Sequence, residues 1–194
     1  MKNLDDSILV EMIIKGSDEA IEIIINKYSK YVYNFILLYV KDKDEVSDLT
    51  QEVFVKVWRN LNKYNQDKSF KTWIFTIAKN TTLDFIKKKR AIPVSRLVKD
   101  DDNENILNTL KDPEPLPDEL FEMRNLKEKL DSVLDDLPIL YKRVLLMYYK
   151  DDLNLREISE VLGVSIETIK SQHRRALILL RGKLCDNLKS APNI

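Results

Sequence analysis

Helical periodicity without strand alternation is the feature that most restricts how this chain can fold. Between residues 46 and 61, apolar side chains recur at the three- and four-residue spacing of a helix that turns one face to a core. Similar spacing recurs along the chain, strand-type alternation is absent, and only three glycines occur in 194 residues. We therefore expect an all-α protein.

Proline and charge divide the helical pattern into two parts. Residues 92–122 contain Pro93, Pro113, Pro115 and Pro117, and residues 100–122 carry a net charge of −8. Prolines at this density prevent a regular helix and favour an extended path. We predict two small helical domains, a helical bundle over residues 1–91 and a helix-turn-helix domain over 123–194, joined by an extended acidic linker over 92–122.

The formal net charge is zero, but positive and negative charges are concentrated in different segments of the chain. Residues 1–50 carry a net −4, residues 51–99 a net +9 and residues 123–194 a net +3. A basic segment, an acidic segment and a second basic segment in series indicate two nucleic-acid-binding surfaces separated by a stretch that repels DNA.

The sequence predicts a cytoplasmic protein. With 44% apolar and 33% charged residues, the composition is that of an ordinary soluble chain. The longest apolar stretch, residues 31–40, is about half of what a membrane-spanning helix needs, and no signal peptide opens the chain. Cys185 is the only cysteine, so an internal disulfide is excluded, which is consistent with a reducing compartment.

The helix predicted over residues 46–61 has two different faces. Its core-facing stripe is Val46, Leu49, Val53, Val57 and Leu61, with Phe54 and Trp58 at the edge, and its outer face carries Asp48, Gln51, Glu52, Val55 and Arg59. This outer face could be solvated only. The valine among its polar groups favours a face that docks on a partner helix.

The helix predicted over residues 70–90 has an outer face suited to binding single-stranded nucleic acid. Its inward stripe is Phe70, Trp73, Ile74, Ile77, Thr81 and Phe85, and its outer face is Phe75 with Thr72, Thr76, Lys79 and Asn80. Aromatic rings stack on unpaired bases, and the following run Lys87, Lys88, Lys89 and Arg90 supplies charge for phosphates. In the alternative interpretation, Phe75 packs beneath the loop at residues 65–69.

Residues 154–180 have the pattern of a helix-turn-helix. The predicted inward side chains are Ile158, Val161 and Leu162 before the turn Gly163-Val164-Ser165, and Ile166, Ile169, Ala176, Leu177 and Leu180 after it. Gly163 permits a left-handed backbone and Ser165 can cap the second helix. The outward groups of that helix, which suit contacts with duplex DNA, are Glu167, Thr168, Lys170, Ser171, Arg174 and Arg175.

Residues 48–90 resemble the second region of bacterial sigma-70-type transcription initiation factors, in the extracytoplasmic-function (ECF) group. The residues Asp48-Leu49-Thr50-Gln51-Glu52 match the family's Asp-Leu-x-Gln-Glu signature. Residues 167–176 are similar to the fourth-region pattern G-T-V-K-S-R-L-H-R-A, although His173 stands for an apolar residue and Arg174 for the usual histidine. We expect His173, which is the chain's only histidine, to be a packed side chain with no metal or catalytic role.

The resemblance implies a role for each outer face. Asp48, Gln51 and Glu52, with Val55 and Arg59, would dock on the coiled coil of the largest subunit of RNA polymerase, and the flap of the polymerase is a further expected contact. The loop at residues 66–69 with Thr72, Phe75, Thr76, Ala78, Lys79 and Asn80 would hold a base flipped from the melted −10 element, beside the basic run at 87–90. The second helix-turn-helix helix would read the −35 element as a duplex.

Further expectations come with the resemblance. An anti-sigma factor is an expected partner, and the acidic linker would thread toward the RNA exit path of the polymerase. No cofactor, metal, catalytic residue or small-molecule substrate is expected.

Two other classes of protein compete with the sigma interpretation. A helix-turn-helix regulator that acts without joining polymerase would give residues 48–52 no function and would usually bind as a dimer. A nucleic-acid enzyme is disfavoured because no paired carboxylates, metal cluster, activated nucleophile or phosphate-binding glycine loop is apparent in the sequence.

Overall fold

The computed structural model describes residues 5–91 and 130–189, and within these ranges the chain forms helices and no strands. The predicted acidic linker and the side chains of Arg90 and Cys185 lie outside what the structure describes. The all-α prediction is confirmed for the described chain.

The first range contains α1 (Asp6–Ile14), α2 (Asp18–Leu37), α3 (Lys43–Asn60), a 3-10 turn (Leu61–Lys63) and α4 (Phe70–Ala91). In the second range, residues 130–135 are helical (α5), followed by α6 (Ile139–Leu145), a π-helical stretch (Leu146–Lys150), α7 (Leu155–Leu162) and α8 (Ile166–Lys189).

The described residues form two compact units that do not follow chain order. Residues 5–91 pack together with Leu146–Lys170, whereas residues 130–145 and 171–189 belong to the second unit. The predicted boundaries at residues 92 and 123 stay a prediction.

Side-chain caps define where the helices of the first unit begin. The hydroxyl of Ser17 accepts from the Ala20 N–H at 3.3 Å, and Gly16 before it has φ 91°. Asp42 caps α3 by accepting from Asp44 and Glu45. Helix α1 is held on α2 because the carboxylate of Asp6 accepts from the Lys27 ammonium and the Tyr28 hydroxyl of α2.

Helix α3 follows its predicted register. The whole predicted core-facing stripe (Val46, Leu49, Val53, Val57 and Leu61) is buried. Burial of one face leaves the opposite face of α3 exposed to solvent, and this positions the first candidate surface.

The prediction for α4 was wrong about Phe75. Its ring is 0% exposed and meets the Phe35 ring of α2 edge-on at 5.5 Å between centroids. Phe75, Ala78 and Thr82 share one helix face by their three- and seven-residue spacing, and all three are buried. Because α4 packs against α2, α3 and α7, its buried surface is wider than one amphipathic stripe.

The helix-turn-helix forms as predicted. Asn154 and Glu157 make a reciprocal capping box at the start of α7, Gly163 has φ 69°, and the Ser165 hydroxyl accepts from the Thr168 N–H at 3.2 Å. The predicted inward residues Ile158, Val161, Ile169 and Ala176 are buried, whereas Leu162, Ile166 and Leu180 are half-buried.

Leu177 is the exception on α8, since its side chain is exposed although an inward position was predicted. The inward stripe of α8 runs through residues 169, 173, 176 and 180. Position 177 lies about 100° around the helix from position 176 and falls outside that stripe.

We predict that Phe75→Ala lowers the free energy of unfolding by about 3–5 kcal/mol, because it removes a fully buried ring and leaves a cavity against Phe35. Urea unfolding followed by circular dichroism measures this. Val55→Ala on the exposed face of α3 is the control and should change the value by less than about 0.5 kcal/mol. Equal stabilities for the two variants would contradict the placement of Phe75.

Candidate functional site

The exposed face of α3 brings the first group of predicted site residues together. Asp48, Gln51, Glu52, Val55 and Arg59 are all exposed, and nearly half of the Val55 side chain is accessible to solvent. They share the face opposite the buried stripe. The α3 face therefore has the polar and apolar groups that the docking prediction requires.

A salt bridge connects the α3 face to α4. The ammonium of Lys56 lies 2.7 Å from the carboxylate of Glu52 and also donates to the Thr81 hydroxyl of α4 at 3.1 Å. The Glu52 carboxylate thereby has a preferred position on the α3 face. Its exposure keeps the energetic value of this pair small.

An apolar groove of about 290 Å³ adjoins the α3 face. Most of its lining comes from α1, α2 and α3, including Ile13, Ile21, Ile25, Val55, Trp58 and Arg59, and Phe70 of α4 contributes as well. The indole of Trp58 is about half exposed there. Sequence analysis placed Trp58 at the edge of the core stripe and missed the groove, because α1 and α2 form its other wall.

The predicted −10 residues of α4 are mostly covered. Thr72, Phe75 and Ala78 are buried, Thr76 and Lys79 are half-buried, and Asn80 alone of this group is exposed. The structure brings these residues onto one helix but does not present them as an open surface.

Helix α7 lies along the same side of α4. The Thr72 hydroxyl donates to the Glu157 carboxylate at 3.4 Å, a long hydrogen bond. Two helical turns further on, the Lys79 ammonium lies 3.8 Å from where a Cβ on Gly163 would stand. The first turn of α4 therefore lies near the first turn of α7, and a later turn of α4 lies near the end of α7. The two helices run parallel.

The basic run after Asn80 is only partly available. The side chains of Lys87 and Lys88 are exposed. The ammonium of Lys89 binds both carboxylate oxygens of Glu45, at 2.7 and 2.9 Å, and lies 5.7 Å from the centre of the Phe85 ring. Among the three lysines of the run whose side chains the structure describes, Lys87 and Lys88 therefore face solvent.

Helix α8 presents the predicted −35 residues together. Glu167, Thr168, Lys170, Arg174 and Arg175 are exposed, and Ser171 is half-buried. His173 is half-buried, and burial lowers the pKa of its imidazole, so the neutral form predominates at neutral pH. This agrees with the expected packed histidine.

Comparison with known proteins identifies the family. Residues 24–92 match the family model of Sigma-70 region 2, and residues 127–180 match that of Sigma-70, region 4. The ECF RNA polymerase sigma factor SigM of Bacillus subtilis is 31% identical over 160 residues, covering 81% of this chain and 90% of the relative. The chain belongs to the ECF RNA polymerase sigma factors.

Two solved structures share the fold of this sigma factor. The structure of CnrH in complex with the cytosolic domain of CnrY has a TM-score of 0.62 at 19% identity, covering 93% of this chain and 97% of that one. The sigma factor RpoE in complex with the anti-sigma factor NepR from Bartonella quintana has a TM-score of 0.57 at 16% identity, covering 82% and 93%.

Membership of the family establishes the general function. The sigma factor binds core RNA polymerase and directs promoter-specific initiation, through −10 melting and −35 duplex recognition, and it is not an enzyme. The alternative of a regulator that never joins polymerase is set aside by the region 2 match. Within the described ranges, no helix has the length and apolar character to span a bilayer.

Sequence reasoning missed Asp151, a buried carboxyl of this sigma factor between the π-helical stretch and α7. The side chain is only 5% exposed. Burial raises the pKa of its carboxyl to about 7, the nearby ammonium groups of Lys71 in α4 and Lys150 act in the opposite direction, and Asp152 raises the pKa slightly. Asp-Asp in a polar segment carries no local signal of burial, so only tertiary packing could reveal it.

We predict that Asp151 makes the sigma factor less stable as pH rises from about 4 toward 7. In this window the native carboxyl stays protonated while the unfolded one ionises, so the native state binds the extra proton and stability falls by about 1.4 kcal/mol per pH unit. Above pH 7 both states are ionised and the decline ends. Urea unfolding at pH 5, 6, 7 and 8 measures the slope.

Asp151→Asn should remove this decline relative to the wild type, because the amide is neutral at every pH. Asp152→Asn is the matched control, since Asp152 is exposed and its φ of 49° is tolerated by asparagine. A wild type and an Asp151→Asn variant with parallel stability profiles would contradict the raised pKa.

Proposed function

We propose that the α3 face and the adjoining apolar groove together form the surface of this sigma factor that docks on the coiled coil of the largest polymerase subunit. The observation that supports this most directly is the continuity of the two features. Val55 and Arg59 belong both to the exposed α3 face and to the groove lining.

The proposed surface has the composition of a protein interface. An apolar centre with Trp58 and Val55 is bordered by Asp48, Gln51 and Glu52, which can hydrogen-bond to a partner. Tryptophan and arginine dominate binding energies when a partner desolvates them. Trp58 therefore extends the docking prediction, which already included Arg59.

We assign the two DNA elements to separate helices. Thr72, Phe75, Thr76, Ala78, Lys79 and Asn80 of α4, with the basic run at 87–90, are proposed for the melted −10 strand, and the exposed residues of α8 for the −35 duplex. The buried ring of Phe75 could stack on a base only after a local rearrangement. Asn80, Lys87 and Lys88 can reach nucleic acid without one.

Partner and location complete the proposal. The solved relative RpoE is bound to an anti-sigma factor, and we propose that an anti-sigma factor also regulates this chain. We further propose that the sigma factor works in the cytoplasm, where RNA polymerase is present.

Run-off transcription with bacterial core polymerase tests the docking surface. We predict that Asp48→Ala/Glu52→Ala lowers sigma-dependent transcript by at least about tenfold, since two lost hydrogen bonds to charged groups exceed 1.4 kcal/mol. Binding to core, measured by competition, should weaken by a similar factor.

Glu11→Ala/Glu19→Ala is the matched control, because it removes two exposed carboxylates that lie outside the α3 face. Its transcript level should equal that of the wild type. If both double variants behave alike, the α3 face is not the docking surface.

Fluorescence anisotropy with a −35 duplex tests the α8 assignment. We predict that Arg174→Ala/Arg175→Ala weakens binding by at least about tenfold and makes affinity less dependent on salt, because fewer counterions are released from the DNA. Arg181→Ala, which removes an exposed arginine farther along α8, should have little effect. An unchanged salt dependence in the double variant would contradict the assignment.

A further inference from the structure

Helix α1 contributes to the apolar groove although it lies outside the residues that match the family model of region 2, which begin at residue 24. Ile13, in the last turn of α1, lines the groove together with Ile21 and Ile25 of α2 and Trp58 of α3. A partner that fills the groove therefore contacts α1 as well as α3.

Two kinds of contact fix α1 in this position. Three of its apolar side chains are buried, namely Leu9, Val10 and Ile13. The carboxylate of Asp6 accepts hydrogen bonds from the Lys27 ammonium, at 2.7 Å, and from the Tyr28 hydroxyl of α2. The Tyr28 ring lies 5.6 Å, between centroids, from the ring of Phe70, which also lines the groove. The α1 wall of the groove is thus held in place before any partner binds.

Exposed apolar side chains are concentrated around this groove. In residues 5–91, the large apolar side chains that are exposed are Ile8, Ile14, Ile25, Val55, Trp58 and Leu83. Ile25, Val55 and Trp58 line the groove. Ile14 is 54% exposed and directly follows Ile13, so it extends the apolar surface beyond the α1 wall. A contiguous exposed patch of this kind marks an interaction surface.

The two ends of the α3 face carry opposite charges. Asp48 and Glu52 lie on its first half, whereas Arg59 lies at its end and lines the groove. Asp48 precedes Arg59 by eleven residues, which is about 16 Å along a helix. Complementary charges fix the orientation of a partner. A partner helix with basic groups at one end, an acidic group at the other and apolar side chains between them fits this surface.

We propose that α1 is an additional element of the polymerase-docking surface, and that Ile13 and Ile14 contact an amphipathic helix of the coiled coil in the largest polymerase subunit. This inference rests on the proposed docking function. Apolar side chains of the partner helix enter the groove between α1 and α3, and an acidic side chain approaches Arg59. Asp6 contributes indirectly, because it holds α1 on α2.

Competition binding of the full chain to bacterial core polymerase tests the α1 contact. We predict that Ile14→Gln weakens binding by about tenfold, because the apolar contact of an exposed isoleucine is lost. Glutamine is a good helix former, so α1 stays helical.

Ile8→Gln is the matched control. Ile8 is an exposed isoleucine of the same helix, but it lies about 120° around the helix from Ile14 and about 9 Å before it along the axis. This variant should bind core like the wild type. Equal losses in the two variants, or full binding by Ile14→Gln, overturn the proposal.

A photo-crosslinking amino acid in place of Ile14 identifies the partner helix. We expect a covalent product with the largest subunit of core polymerase, mapped to its coiled coil by mass spectrometry. The same amino acid in place of Ile8 should give none. A product with a different subunit alone, or no product, contradicts the assignment.

The variant Asp48→Ala/Glu52→Ala, measured in the same binding assay, separates this inference from the function on which it rests. If the α3 double variant loses affinity and Ile14→Gln does not, the α1 contact is wrong and the proposed function stands. If only Ile14→Gln loses affinity, the assignment of the α3 face is wrong and the α1 contact stands. If neither loses affinity, both are wrong.

Discussion

Helix α4 is packed by α2, α3 and α7, and the architecture of the first compact unit depends on this burial. Phe70, Ile74, Phe75 and Ala78 supply its apolar contacts. Its buried threonines have hydrogen-bond partners: Thr82 donates to the Ala78 carbonyl, Thr81 accepts from Lys56, and Thr72 donates to Glu157. Threonine suits such positions because its methyl group packs while its hydroxyl is satisfied. The same side chains cannot be core contacts and a free nucleic-acid surface at the same time. The packing of α4 and its proposed binding of the −10 strand therefore exclude each other.

Local patterns predicted what depends on local physics. The stripe of α3, the left-handed Gly163 and the cap at Ser165 follow from helical spacing and backbone preference, and each is present. The exposure of the α3 face and of most of the predicted α8 residues follows from the same periodicity. These features need no knowledge of distant chain segments.

Features that arise from distant segments could not be read in this way. Phe75 was placed outward because the pattern of α4 was interpreted as one stripe, whereas three other helices pack around α4. The burial of Asp151 and the covering of Thr72 by Glu157, 85 residues away in the chain, have no local signature. The groove likewise forms only when α1 and α2 pack beside α3, so the sequence alone could not show that Trp58 lines it. Long-range packing overrides a local polarity pattern wherever both faces of a helix find partners.

The contact between α4 and α7 combines polar groups with burial. The Thr72–Glu157 hydrogen bond is long, and Asp151 is buried with a carboxyl whose ionised form is disfavoured near neutral pH. Both features weaken this contact without abolishing it. The α3 face is exposed while α7 lies on α4. A partner changes a conformational equilibrium only by its difference in affinity for the two states, so binding at the α3 face alone leaves the α4–α7 contact as it is.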